Sequence, residues 1–207
     1  MFQTTIINGV SMSRLLVRLF AVLALTGPVG VAQAEGWYVG ANVGKAKALD
    51  VSSDIGSNVT INDKNSSWRI YGGYHYWDIM GFELGYNDLG KTTAQGTSMG
   101  SPFSDQDEPI AIDALLVGTM RITDNISVVG KLGLFYFDVD SETTTGGTTR
   151  SDSASGGDYT YGLGAKYELG KQLGLRVEWQ RFTEVGKGSA GQSRYDVFSA
   201  GLVFDIK

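Results

Sequence analysis

From Asp158 to Leu169 the chain alternates without a break: Tyr159, Tyr161, Leu163, Ala165, Tyr167 and Leu169 share one parity, and Asp158, Thr160, Gly162, Gly164, Lys166 and Glu168 the other. A period of two sorts these sets onto opposite faces of a β-strand, and no helix can do so. The pattern recurs. Trp37, Val39, Ala41 and Val43 alternate with Tyr38, Gly40, Asn42 and Gly44. Trp68, Ile70, Gly72, Tyr74 and Tyr76 alternate with Arg69, Tyr71, Gly73 and His75. Met80, Phe82, Leu84 and Tyr86 oppose Gly81, Glu83, Gly85 and Asn87, and Leu173, Leu175, Val177 and Trp179 oppose Gly174, Arg176, Glu178 and Gln180. Less cleanly, Ile110 to Ile122, Ile126 to Tyr136 and Phe198 to Ile206 carry apolar residues on even numbers, against Asp113, Thr119, Lys131, Gly133, Ser199, Gly201 and Asp205 on odd ones. Eight strands follow, and the fold class is all-β.

The connections alternate too. Trp77-Asp78, Thr123-Asp124-Asn125 and Gly170-Lys171-Gln172 are tight hairpins, whereas 47–66, 88–108, 140–156 and 184–193 are long and rich in Ser, Thr, Gly and Asp. Those four are expected as polar loops, with the run Ser141 to Thr149 a mobile low-complexity stretch. Short turns at one end and long loops at the other define an antiparallel up-and-down barrel of eight strands.

Which face is apolar decides the solvent. A soluble lipocalin also has eight strands and permits the opening Gly36-Trp37-Tyr38, but it keeps apolar residues inside and polar ones outside. Here the charged face mixes Arg69, Glu83, Asp113, Lys131, Lys166, Arg176 and Glu178 with many of the 29 glycines, and the other face is almost uniformly apolar. Small glycines leave room for charged side chains in a narrow interior, so the charges form a lumen ion network and the greasy face meets lipid. The aromatics sort as girdles, with Trp37, Tyr76, Tyr167 and Phe204 toward the periplasmic turns and Trp68, Tyr86, Tyr136, Tyr159 and Trp179 toward the outer loops. The expected fold is a transmembrane β-barrel in the outer membrane of a Gram-negative bacterium, surrounded by outer-membrane lipids and lipopolysaccharide.

The first 34 residues read as an address. Arg14 and Arg18 precede the apolar run Leu19 to Leu25, which breaks at Thr26-Gly27-Pro28 and is too short to span a bilayer, and Ala32 and Ala34 are the small residues of a cleavage site. Residues 1–34 are therefore a cleaved signal peptide and 35–207 the barrel domain; Met12 is an alternative start to Met1. Cleavage removes two positive charges and no negative ones from a formal net charge of −5, leaving −7. Such a chain lacks the clustered cations that nucleic-acid binding needs. With no cysteine there is no lipid anchor, disulfide or thiolate metal site, and one histidine leaves a single place for imidazole chemistry.

Three segments carry a resemblance. Gly36-Trp37-Tyr38-Val39-Gly40-Ala41, Gly81-Phe82-Glu83-Leu84-Gly85-Tyr86 and Arg176-Val177-Glu178-Trp179 resemble the transmembrane domain of the outer membrane protein A family, over essentially the whole mature chain. The last strand, from Ser199 through Gly201 and Phe204 to Ile206, resembles the segment read by the barrel-assembly machinery, with Ile206 in place of a final aromatic. The resemblance implies that Glu83 and Arg176 pair inside the barrel. A switching gate in that family also needs a Lys on the fourth strand and a Glu on the sixth, where this chain has Val117 and Lys166. The sequence stops with the barrel, so no peptidoglycan-binding domain is expected.

The remaining chemistry is sparse. His75 with nearby hydroxyls imitates a barrel-embedded lipid hydrolase, but that chemistry needs a base within reach of a nucleophile and an acidic orienting partner, and His75 lies by the periplasmic hairpin Tyr76-Trp77-Asp78, so a lumen or interfacial histidine is the expectation. Gly40 to Lys45 is one residue short of a phosphate loop and lies in a strand. Asp105-Gln106-Asp107-Glu108 lacks calcium-loop spacing and reads as a solvated acidic stretch. No cofactor or metal is expected. The leading reading is a non-enzymatic barrel, plugged by its charged lumen, that serves envelope integrity or binds an extracellular ligand through its loops; a narrow pore for small solutes is the alternative.

Overall fold

The computed structural model describes residues 36–49, 57–62, 64–77, 79–98, 101–185 and 193–206. The expected signal peptide, Asp78 and most of the 184–193 connection lie outside them. Among the described residues there are ten strands: β1 Trp37–Leu49, β2 Ser57–Asn62, β3 Lys64–Trp77, β4 Met80–Asp88, β5 Thr92–Ser98, β6 Ser101–Arg121, β7 Ile126–Thr145, β8 Thr148–Glu168, β9 Leu173–Val185 and β10 Ser193–Ile206. All pairings are antiparallel. They run β6-β4-β3-β1-β10-β9-β8-β7, and a further β6–β7 pairing closes the sheet on itself as a ring, while β2 and β5 extend it beside the N-terminal part of β6.

Each of the eight alternating segments lies within one strand of the ring, but the expected count is exceeded. β2 and β5 form inside what reads as loop at 47–66 and 88–108, and β6, β7 and β8 run well past their apolar segments. The stretch 140–156 is likewise not a loop. Thr145 pairs with Thr148, and the β7–β8 hairpin closes through Gly146 and Gly147 at φ 57° and 83°, the left-handed pair that a two-residue turn needs. Ser and Thr there pair in register from Asp140↔Ser153 upward. A hairpin wet on both faces carries no apolar alternation, so polarity disguised it. Among the described residues, β8 pairs with β7 alone from Thr148 to Tyr159, and its pairing with β9 begins at Thr160.

The tight turns at 122–125 and 169–172 are as expected. Ile122 and Thr123 donate backbone N–H groups to the Ile126 carbonyl, and Thr123 Oγ1 accepts from the Ile126 N–H at 3.0 Å, so the side chain substitutes for a missing ladder bond.

The two parities separate in exposure. Val43, Leu84, Leu116, Leu132, Leu163, Val177 and Phe198 are exposed, Val43 by 70%, whereas Glu83 and Asp113 are 0% exposed. A sheet whose apolar face is outermost is inverted relative to a water-soluble protein. The interior is more varied than the sequence suggested. Toward the long connections it holds an apolar cluster of Leu89, Ala111, Phe135, Phe137, Val139, Phe182, Val185 and Tyr195, with Phe135 edge-on to Phe182 at 5.1 Å. Below it lies the charged layer, flanked by Leu115, Val117 and Val129 and by Tyr38, Tyr71 and Val203.

Candidate functional site

Six charged side chains converge inside the ring because period two aims one parity of every strand inward. Arg69 comes from β3, Glu83 from β4, Asp113 from β6, Lys131 from β7, and Arg176 and Glu178 from β9; all six are buried. Glu83 is the hub. Its Oε2 lies 3.0 Å from Arg69 Nη1 and 3.2 Å from Lys131 Nζ, and its Oε1 lies 2.6 Å from Arg176 Nη1 and accepts the Tyr38 hydroxyl at 3.0 Å. Glu178 Oε1 lies 2.5 Å from Lys131 Nζ and 2.6 Å from Arg176 Nε, while Asn42 Nδ2 donates to its Oε2 at 2.7 Å. Asp113 takes the Arg69 fork through Nε at 3.2 Å and Nη2 at 2.9 Å, and accepts from Asn87 at 2.8 Å and Gln180 at 3.2 Å.

Three cations face three carboxylates, so the cluster is neutral overall, as a layer removed from water requires. The Tyr71 ring sits among all three cations, 4.4 Å from Arg69, 5.5 Å from Lys131 and 5.1 Å from Arg176. Gly40 makes room for it, since a Cβ there would clash with the hydroxyl end of Tyr71. Tyr38, Asn42, Tyr71, Asn87 and Gln180 complete the site, and charge alone does not mark them in the sequence. Their signal was present, a large polar or aromatic side chain on the parity otherwise given to glycine and charge.

Lys166 is the exception. It stands opposite Arg176 in register, and two adjacent cations repel, so Arg176 turns to Glu83 and Lys166 runs past the bare Gly174 to Asp205, 2.8 Å away. Lys166 therefore belongs to a separate pair and not to the network. The Glu83–Arg176 contact implied by the resemblance is present. Val117 packs with Leu115 and Val129, and Lys131, opposite Val117 on the neighbouring β7, joins Arg69 and Arg176 on Glu83. Glu83, Arg176, Glu178 and Lys131 close a four-membered cycle in which each carboxylate touches both cations.

Of the aromatics expected as girdles, Trp37, Trp68, Tyr76, Tyr136, Tyr159, Tyr167 and Phe204 are exposed, and Tyr86 and Trp179 half-buried, Tyr86 against Trp68 at 5.4 Å. On β10, Phe204 and Ile206 are exposed, and Ser199 and Gly201 are half-buried on the opposite parity. His75 stacks on Tyr38 at 4.6 Å, and its Nδ1 makes no hydrogen bond among the described residues. Gly40 to Lys45 lies within β1. In β6, Asp105 and Asp107 accept from Thr143 at 2.9 Å and Ser141 at 2.5 Å, and Glu108 pairs with Lys91 at 3.3 Å. Burial raises the Asp107 carboxyl above its ordinary range, opposed by the Ser141 hydroxyl and assisted by nearby Asp105.

The geometry has counterparts. The family model described as OmpA-like transmembrane domain matches residues 32–206. Outer membrane protein A of Klebsiella aerogenes is 25% identical over 191 residues, covering 88% of this chain and 53% of that protein. Outer membrane protein P5 of Haemophilus influenzae is 27% identical over 192 residues, covering 80% of this chain and 50% of that protein. The chain thus spans about half the length of these relatives. Among solved structures, Neisserial surface protein A aligns at TM-score 0.53 and 21% identity over 82% of this chain and 97% of that one, and Ail of Yersinia pestis at 0.51 and 14% over 82% and 99%. Both share the fold. With its apolar face outward and its charges neutralised inside, this chain belongs to the OmpA-like transmembrane domain family of the Gram-negative outer membrane.

Proposed function

We propose that residues 35–207 form an eight-stranded up-and-down transmembrane barrel, released from a signal peptide after Ala34, that acts as a closed, non-enzymatic structural and surface-contact element of the envelope. The observation that carries this reading is the filled interior, in which a neutral layer around Glu83 lies beneath an apolar layer around Phe135, Phe137 and Phe182. Ions cannot cross an apolar constriction without shedding hydration, and the charged layer holds its groups to one another. The exposed aromatics serve as the two girdles, and Ser199, Gly201, Phe204 and Ile206 as the signal for the barrel-assembly machinery. The turns at 122–125 and 169–172 face the periplasm. The extended β6, β7 and β8, with β2 and β5, stand outside the cell and offer the surface for an extracellular ligand.

Planar bilayers test closure. Wild-type protein should give little or no steady conductance. Because two layers close the path, Glu83→Ala with Arg176→Ala should open it less than the same pair combined with Phe135→Ala and Phe182→Ala. A large, stable, ohmic pore in the wild type would reject closure and favour the narrow pore.

A further inference from the structure

The outward face ends differently on the two sides of the ring. Past the apolar belt, toward the long connections, β1 continues with Lys45 and Lys47, β9 with Arg181 and β10 with Asp196. Lys47 pairs in register with Asp196, and Asp196 with Arg181, so the three form one row across β1, β10 and β9. At a strand spacing of about 4.8 Å, that row is about 10 Å long. Lys45 and Lys47 are exposed, and Lys45 Nζ donates to Ser66 Oγ at 3.1 Å. Arg181 is held by Asp196 through Nε at 2.6 Å and Nη2 at 2.7 Å, with its guanidinium 5.4 Å from the centre of the Trp179 ring. The row and Lys45 together hold three cations and one carboxylate, with Arg194 of β10 and Glu184 of β9 exposed beyond them, and Val43, Phe198 and Val177 are exposed in the belt beneath. Across the ring, the corresponding outward positions carry Asp88 on β4, Glu108 on β6 and Asp140 on β7.

A cationic row bordering an apolar belt is complementary to an anionic amphiphile, whose charged headgroup meets the cations while its chains lie along the belt. The carboxylates opposite repel the same headgroup, so the site is confined to one side. In the outer leaflet of the outer membrane the anionic amphiphile is lipopolysaccharide, which carries phosphates on the sugars that bear its acyl chains. We propose that Lys45, Lys47 and Arg181 form a binding site for the phosphorylated sugar headgroup of lipopolysaccharide, with Val43, Phe198 and Val177 beneath its acyl chains. This rests on the orientation given above, in which this end of the ring faces outward. Asp196 fixes the Arg181 fork in place, and the two exposed lysines supply charge that no carboxylate hydrogen-bonded to Arg181 neutralises.

The test uses the refolded mature chain in phosphatidylcholine bilayers titrated with purified lipopolysaccharide, its enzymatically dephosphorylated form, or phosphatidylglycerol, with the unfolding midpoint and fluorescence of the bordering tryptophans as readouts. Lipopolysaccharide should bind saturably, and the dephosphorylated form and phosphatidylglycerol much more weakly. Lys45→Gln with Lys47→Gln should weaken lipopolysaccharide binding about tenfold or more, while Lys91→Gln, on the acidic side, should leave it unchanged. Heat-modifiable gel mobility reports folding of each variant separately. Equal binding of the dephosphorylated lipid or of phosphatidylglycerol, or an unaltered affinity in the double lysine variant, would overturn the site. A wild-type chain that does not insert into bilayers at all would instead overturn the barrel reading on which it rests.

Discussion

Replacing Glu83 by alanine probes the charged layer at its hub. Glu83 is fully buried and touches Arg69, Lys131 and Arg176 as well as the Tyr38 hydroxyl. Without it, three cations face two carboxylates, and a neutral cluster becomes one with a net positive charge in a space that water reaches poorly. Removing one partner of a buried pair costs about 3 to 5 kcal/mol. Here the orphaned cations are not left alone, since Asp113 still holds the Arg69 fork and Glu178 still touches both Lys131 and Arg176, so the loss should fall near the low end, about 3 kcal/mol. Removing Arg176 as well restores two cations against two carboxylates, and the double variant should be more stable than Glu83→Ala alone. The coupling between the two sites should be about 1 to 3 kcal/mol. Urea unfolding from lipid vesicles, read by heat-modifiable gel mobility, measures all four corners of the cycle. Lys166→Gln is the control: its partner is Asp205, so its effect should add to that of Glu83→Ala without coupling. Strictly additive losses for Glu83 and Arg176, or a double variant weaker than both singles, would refute the argument that these groups compensate one another.

Three further outcomes are expected. Leu163→Arg, on the exposed apolar face, should cost about 2 to 4 kcal/mol in a bilayer, whereas Gly164→Leu should fail by overpacking, since even a Cβ there meets the Val177 carbonyl at 2.7 Å; equal tolerance of Arg at 163 and 164 in a folding assay would reverse the face assignment. A raised folded-state pKa means that the stability contributed by Asp107 is fully present below its unfolded value near 3.8 and is lost as pH rises through the higher folded value. Asp107→Asn should therefore protect the β6–β7 extension from proteolysis at pH 7 and have little effect near pH 3, and protection independent of pH would contradict it. Intact-mass spectrometry of the envelope protein should find Glu35 as the first residue, and a retained leader would overturn the export argument.

Period two made the ring segments legible, because a strand between lipid and a packed interior must alternate. Where lipid ended, so did the signal: at Thr143 to Thr149 both faces are wet, and a paired hairpin read as loop. The charged layer was readable as a set of residues but not as a set of contacts. Lys166 and Lys131 look alike in sequence, and only register, which puts Lys166 beside Arg176 and leaves Gly174 bare, sends one to Asp205 and the other to Glu83. Phe135 and Phe137 were hidden for another reason. They sit on the interior parity of an aromatic run in which Leu134 and Tyr136 point outward, so the segment reads as uniformly greasy.

Between Thr148 and Tyr159, one border of β8 has no neighbouring strand among the described residues. Its amide and carbonyl groups there form half of a zipper, and a matching extended peptide could close it by adding a strand. Arg150, Asp152 and Asp158 interrupt that border with charge, and Ser151, Ser153 and Ser155 give it nothing greasy to grip. Copies crowded together in the plane of a bilayer would therefore brush past one another at this height without stacking into a continuous sheet.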